Sequence, residues 1–449
     1  MKQSQLILSK TPPFSVPLRF FLTAPLFGVL AAMLMLLLDS DHFASRWSVG
    51  MLAYTHLLVL GYLAMVMQAA LFQVASVLTG GQPRRIGWVA PITHVALVVG
   101  TLLLAAGFLA GITHLTHTAM LLLVISFVLF IGAILSGLLR STARRDAGFG
   151  ISLALISLMI AVALGTWLAI GHSVQGVMIA RHLTDIHLTW GLVGWGGILL
   201  ITVAYAVVPM FQLTPDYPPS MIRYLTPIVT VGLIVWSCGN LYVFPTLSLF
   251  GGSVLALGLL LFAITTLRLQ HQRKRKPASE VTFWFWRCAI LSLLMAIVIW
   301  IAALLFPAIS QSPAYPLLLG ALVVHGFLIS AVNGMLYKIL PFLTWLHLSI
   351  EVTEHKLSRR LIPNIKKLLY DDRAHMQFWL HLLMLTLIFV ALWQPGWFLI
   401  PAGIVFAASN LLLWMNLRGV LKIYKQTWQK ITEAAEEKRK EESATVSPT

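Results

Sequence analysis

What the sequence lacks narrows its chemistry first. Carboxylates are few, 15 Asp and Glu against 31 Lys and Arg in 449 residues. They run Asp39, Asp41, Asp146, Asp185, Asp216, Glu280, Glu351, Glu354, Asp371 and Asp372, then five in the tail, and none lies in the middle of an apolar run. Proton pumps and proton-coupled carriers rely on an intramembrane carboxylate or an equivalent relay, so both classes are disfavoured. Cysteine is nearly absent. Cys238 and Cys288 both sit in apolar runs, and no CxxC exists to make a redox dithiol or a thiolate metal site. No phosphate-binding glycine loop, nucleotide motif or soluble catalytic domain can be found. Charge of either sign makes up only 10% of the chain, where a soluble domain carries about a quarter.

What is present is apolar: 59% hydrophobic residues, with a mean hydropathy of +0.87. Runs near the ~20 residues that cross a bilayer recur from end to end. They predict an all-α polytopic membrane protein with twelve spans, near 17–38, 50–79, 86–111, 115–140, 149–171, 186–212, 222–241, 246–267, 283–306, 314–345, 373–393 and 396–416. The spans form one transmembrane domain, 1–416. An amphipathic, charged cytoplasmic tail, 417–449, follows it. Spans two, six and ten exceed the needed length, so tilting or protrusion is expected. The first span is too long for a secretory signal peptide and has no small-residue cleavage site.

The net charge of +16 is a topology signal, not a nucleic-acid signal. Loops after even-numbered spans hold Arg84 and Arg85, Arg144 and Arg145, Arg223, the 268–276 cluster, and the basic residues of 356–367; loops after odd-numbered spans hold only Arg46 and Arg181. Basic loops stay on the cytoplasmic side. Both termini are therefore expected there, in a membrane of the bacterial inner-membrane type, with the basic face near anionic lipid head groups.

Three spans carry a histidine near their starts: His56, His187 and His325. Each ends in a related pattern, Phe72-x3-Ser76, Tyr205-x3-Pro209 and Tyr337-x3-Pro341, which suggests a construction of four spans used three times. The histidines precede these aromatics by 16, 18 and 12 residues. At 1.5 Å per residue, His56 and His325 share a face about one turn (~6 Å) apart in depth, and His187 lies about half a turn off. Neutral imidazole is a good ligand for iron or copper. Two histidines on separate helices can clamp one haem. The alternative is a packed histidine bonded to a neighbouring helix. His94 is expected to pack. His114 and His117, three apart, would need further ligands; His172 and His182 lie in a loop.

Twelve spans, both ends cytoplasmic, and histidines near the outer ends of spans two and ten resemble the catalytic subunit of haem–copper oxidases and their nitric oxide reductase relatives. That family is built as three four-helix arcs. The resemblance implies that His56, in THLLVLGYLAMV, and His325, in VVHGFLISAVNGMLYKILPF, ligate the iron of a haem b. His187 is a further candidate. Arg46 and Arg181 would pair with the haem propionates, and Trp190 and Trp195 would wall a haem face. The departures are equally specific. Span ten has one histidine where the family has two, span seven has none, and LTWG after His187 omits the active-site tyrosine. The usual haem–copper centre is not supported, and copper is not expected. The general character is also similar to the NnrS-like membrane haem proteins of nitrogen-oxide metabolism. The implied role is respiratory electron transfer or nitric oxide or oxygen chemistry, with a respiratory electron donor or oxidase subunits as partners. The other readings are a cofactor-free transporter and an assembly or scaffold subunit of a respiratory complex. Lys338 lies 13 residues past His325, about 20 Å along the helix. It reads either as a snorkelling side chain or as a proton-input lysine.

Overall fold

The computed structural model describes residues 12–141, 145–173, 181–273, 280–369 and 371–445. Among these residues there are helices and no strands. Twelve helices are long and apolar enough to cross a membrane: α1 (Ser15–Leu37), α2 (Val49–Thr79), α3 (Ile86–Ala110), α4 (Thr113–Leu138), α5 (Asp146–His172), α6 (His182–Gln212), α7 (Pro219–Leu241), α8 (Pro245–His271), α9 (Val281–Leu305), α10 (Ala314–Glu354), α11 (Asp371–Ala391) and α12 (Pro395–Glu442). The protein is a multi-pass membrane protein. In hydrocarbon every backbone donor and acceptor must be met within the segment, so runs of this composition form helices. Proline opens α7, α8 and α12, where its missing N–H costs nothing. Gly80 and Gly111 close α2 and α3 with φ of 73° and 67°, a left-handed turn that glycine enters without strain.

Two boundaries differ from the sequence expectation. The tenth helix runs on past 345 to Glu354. The twelfth does not stop at 416; it continues as one helix to Thr445. Beyond the apolar stretch, that helix lays Ile431 and Tyr424 against Leu348, Val352, Leu357 and Leu361, forming a small second core. Lys438 Nζ donates to the Lys356 carbonyl at 3.1 Å.

The long helices α2, α6 and α10 form the interior. Their most apolar windows are 78%, 67% and 61% buried, against 33–50% for the other nine. Around them one order of contacts recurs. The helices α1, α5 and α9 pack on α2, α6 and α10 respectively. The pairs α3/α4, α7/α8 and α11/α12 form antiparallel hairpins, and α4–α5, α8–α9 and α12–α1 contacts close the ring.

Each inner helix carries a π-helical stretch, Leu57–Ala64, Trp190–Ile198 and Leu322–Ile329. The stretch in α10 touches both of the others. A π turn bonds i to i+5, widens the helix and is enriched at functional sites. In each stretch one glycine faces the preceding helix so closely that a Cβ would collide: Gly61 on Phe27, Gly194 on Ser157 and Gly326 on Ser292. Close backbone approach of this kind is how membrane helices gain packing energy without a hydrophobic drive.

Candidate functional site: a histidine pair between two inner helices

His56 lies one residue before the π stretch of α2, and His187 three residues before that of α6. The two rings face one another with centroids 6.4 Å apart and planes within 14° of parallel. Each ring is held from behind. His56 Nδ1 lies 2.7 Å from the Leu52 carbonyl, and His187 Nδ1 lies 2.9 Å from the Ala161 carbonyl on α5. A carbonyl only accepts, so in both neutral rings the proton sits on Nδ1 and the Nε2 lone pair is left bare. Gly165 lets His187 settle against α5, since a Cβ there would come within 2.8 Å of its Cε1. Phe108 leans on His56 with ring centroids 5.4 Å apart, and His172 meets the other edge of Phe108 at 5.5 Å.

This is the pattern of a metal-binding imidazole, whose second N–H is usually fixed by a carbonyl or carboxylate. Two metal–nitrogen bonds of about 2 Å, plus about 1 Å from each nitrogen to its ring centre, would put imidazole centroids on opposite sides of one ion about 6 Å apart, so the 6.4 Å separation matches in distance. Zinc or copper held by protein alone takes three or four such ligands. Among the described residues no three His, Cys, Asp or Glu side chains group to hold a metal ion. A two-nitrogen donor set suits an ion that brings its own equatorial ligands, as haem iron does. Both rings are half-buried.

Arg46, from the segment before α2, pairs with Asp185 of α6 and lies over the Trp47 ring at 4.6 Å. The ion pair joins the same two helices as the histidines, with Asp185 two residues before His187. The side chain of Arg181, the other expected propionate partner, lies outside the described residues. Trp190 Nε1 donates to Ser237 Oγ at 2.9 Å. Trp195 is buried against Phe130, and its Nε1 has no partner.

His325 is placed differently from the sequence expectation. It lies inside its π stretch, not ahead of it, and its ring meets Tyr54 instead of His56. Tyr54 Oη is 2.7 Å from His325 Nε2, and the rings lie nearly parallel at 5.8 Å. His325 Nδ1 is buried without a hydrogen-bond partner. The ring in contact with His56 is thus that of His187, and His325 instead contacts Tyr54. The cause is local: π turns hold more than four residues each, so a face count at 3.6 residues per turn loses its phase across them. Tyr54 and His381 were not singled out from the sequence. His381, on α11, is 1% exposed. Its Nε2 lies 2.7 Å from Ser330 Oγ, and that hydroxyl donates to the His325 carbonyl at 3.1 Å.

His94 and Lys338 have structural partners. His94 Nε2 bonds Thr23 Oγ1 at 3.0 Å, and its ring abuts Phe20. Lys338 Nζ pairs with Glu280 at 3.1 Å, both half-buried at the start of α9. Tyr337 donates to Gln377 at 3.2 Å and accepts from Asn416 at 3.0 Å, tying α10 to α11 and α12. No protein-family model matches the chain, and no curated protein matches it.

Proposed function

We propose that this is an integral membrane haem b protein of the haem–copper oxidase subunit I type, with no copper centre, and that its iron ligands are His56 and His187. One observation carries this reading: two parallel imidazoles 6.4 Å apart on neighbouring inner helices, each with Nδ1 committed to a backbone carbonyl, which leaves Nε2 as the ligating nitrogen. The recurring contacts of three groups of four helices and the three π stretches support the family-like arcs. The chain's own residues orient the ligands. Leu52 and Ala161 fix the tautomers, Gly165 seats His187, and Phe108 limits the rotation of His56. Arg46 and Asp185 join the segment before α2 to the start of α6, and Arg46 would be the residue to pair with a propionate. A haem with two histidine ligands supplies one-electron transfer.

By the charge rule for loops, this reading has both termini in the cytoplasm and the histidine pair in the outer half of the membrane. That suits exchange with a respiratory donor on the outer side. Nitric oxide or oxygen chemistry would require one imidazole to leave the iron. The test is direct. Full-length protein, expressed with ample haem supply and purified in detergent, should show a Soret band and about one haem per chain by pyridine haemochrome. Protein with neither a Soret band nor iron overturns the reading, and substrate-dependent uptake by that haem-free protein would replace it with a transporter.

A further inference from the structure

An open groove of about 480 Å³ lies at the basic end of α11 and α12, far along the chain from the histidine pair. Its wall combines Arg373, from the first turn of α11, with Arg418, Lys422 and Lys425 of α12 and the apolar Trp414, Met415 and Leu421. The α12 contributors fall at 414, 418, 421/422 and 425, which is one stripe of a helix about 17 Å long. Arg418 is held over the Trp414 ring at 4.6 Å. The floor includes Gly419, where an added Cβ would meet nothing within 4 Å. No carboxylate lines the groove; Asp371 and Asp372 head α11 but are not part of the wall. Among the described residues no ion pair engages Arg418, Lys422 or Lys425.

The groove also has a direction. The four cations and Gln426 lie toward the end where α12 leaves its apolar stretch. Met415, together with Leu411 and Ile404 one and three turns earlier, presents exposed apolar surface at 53%, 43% and 56%. An occupant therefore meets guanidinium and ammonium groups at one end and a greasy strip running into the membrane at the other. A soluble phosphate or nucleotide would leave that strip unused. Basic pockets between spanning helices match phosphodiester head groups, and paired arginines bind phosphate through parallel N–H donors.

We propose that this groove is a binding site for one anionic phospholipid, with its phosphate held by Arg418, Lys422, Lys425 and Arg373 and one acyl chain lying along Trp414, Met415 and Leu411. The site fixes the join between the spanning part of α12 and its long extension, where the second core forms. Retention of this lipid therefore couples the bilayer to the 348–362 segment.

The experiment uses the full chain in neutral detergent and native mass spectrometry, with dioleoylphosphatidylglycerol and dioleoylphosphatidylcholine as probes. The anionic lipid should bind about 100-fold more tightly than the neutral one, as several near-surface cations imply. The Arg418→Gln/Lys422→Gln/Lys425→Gln variant should lose that preference, while Arg359→Gln/Arg360→Gln should keep it. Gly419→Leu fills the open floor, leaves every charge in place and favours the helix; it too should lose the lipid while remaining folded. Equal binding of the two lipids, or full binding by both the triple variant and Gly419→Leu, overturns the proposal. Inorganic pyrophosphate binding as tightly as the lipid, in its absence, also overturns it and assigns the groove to a soluble phosphate.

Discussion

His56 and His325 both lie on inner helices beside π-helical turns, yet their surroundings assign them different work. His56 Nδ1 donates to a backbone carbonyl, which leaves the Nε2 lone pair uncommitted, and its ring lies parallel to that of His187. His325 spends Nε2 on a tyrosine hydroxyl and leaves Nδ1 buried and unmatched. The first is half-buried; the second is 4% exposed. On the proposed reading, a histidine becomes a ligand when a backbone carbonyl holds one ring nitrogen and no protein group takes the other. Depth in the membrane and residue type do not decide it. The Tyr54–His325 contact acts as a polar rivet between α2 and α10, and it sets the relative position of the helix that carries His56.

That contrast can be broken or sharpened by substitution. The largest effect is expected at His56. The His56→Ala protein should lose at least about 90% of its haem, because one axial bond alone holds the group weakly; His94→Ala should retain it. Haem per chain measured on both proteins checks this. Gly165→Leu should come next. Its side chain would displace the His187 ring, lowering haem content several-fold, and added haem should restore part of it. Tyr54→Phe should act on stability alone. Intramembrane side-chain hydrogen bonds are worth about 0.6–2 kcal/mol, so thermal unfolding in detergent should shift slightly downward with haem content unchanged. Smallest is Arg46→Gln. Exposed ion pairs contribute about 0–1 kcal/mol, so stability should barely change. If Arg46 also meets a propionate, the haem midpoint potential should fall.

The architecture was legible in the sequence because the bilayer imposes a length and a polarity on each span; all twelve helices lie where the apolar runs are. The unbroken continuation of α12 was hidden, since Leu417 to Lys425 changes from apolar to basic with Gly419 among them and no proline, and the change of polarity reads as an end. The candidate residues were visible as types: three histidines in apolar runs are rare enough to notice. Their pairing was not visible. Extrapolating a face from His187 or His325 assumes a constant twist, and π turns intervene at Trp190–Ile198 and Leu322–Ile329. Nor does local sequence report that the Ala161 carbonyl on α5 would lock His187, or that Tyr54, two residues before His56, would face away toward α10. Gly165 and Gly61 were the available signals, as small residues that admit a neighbouring ring. They acquire meaning only once the helix across from each is known.

The most direct measurement compares absorbance and low-temperature EPR spectra of the wild type, His187→Ala and His325→Ala, each purified after expression with ample haem. The account predicts a six-coordinate low-spin haem in the wild type. His325→Ala should keep that signal, and His187→Ala should lose it or convert it to a high-spin form that binds carbon monoxide. The reverse result, with low-spin haem kept in His187→Ala and lost in His325→Ala, would contradict the account and restore the pairing of the second helix with the tenth.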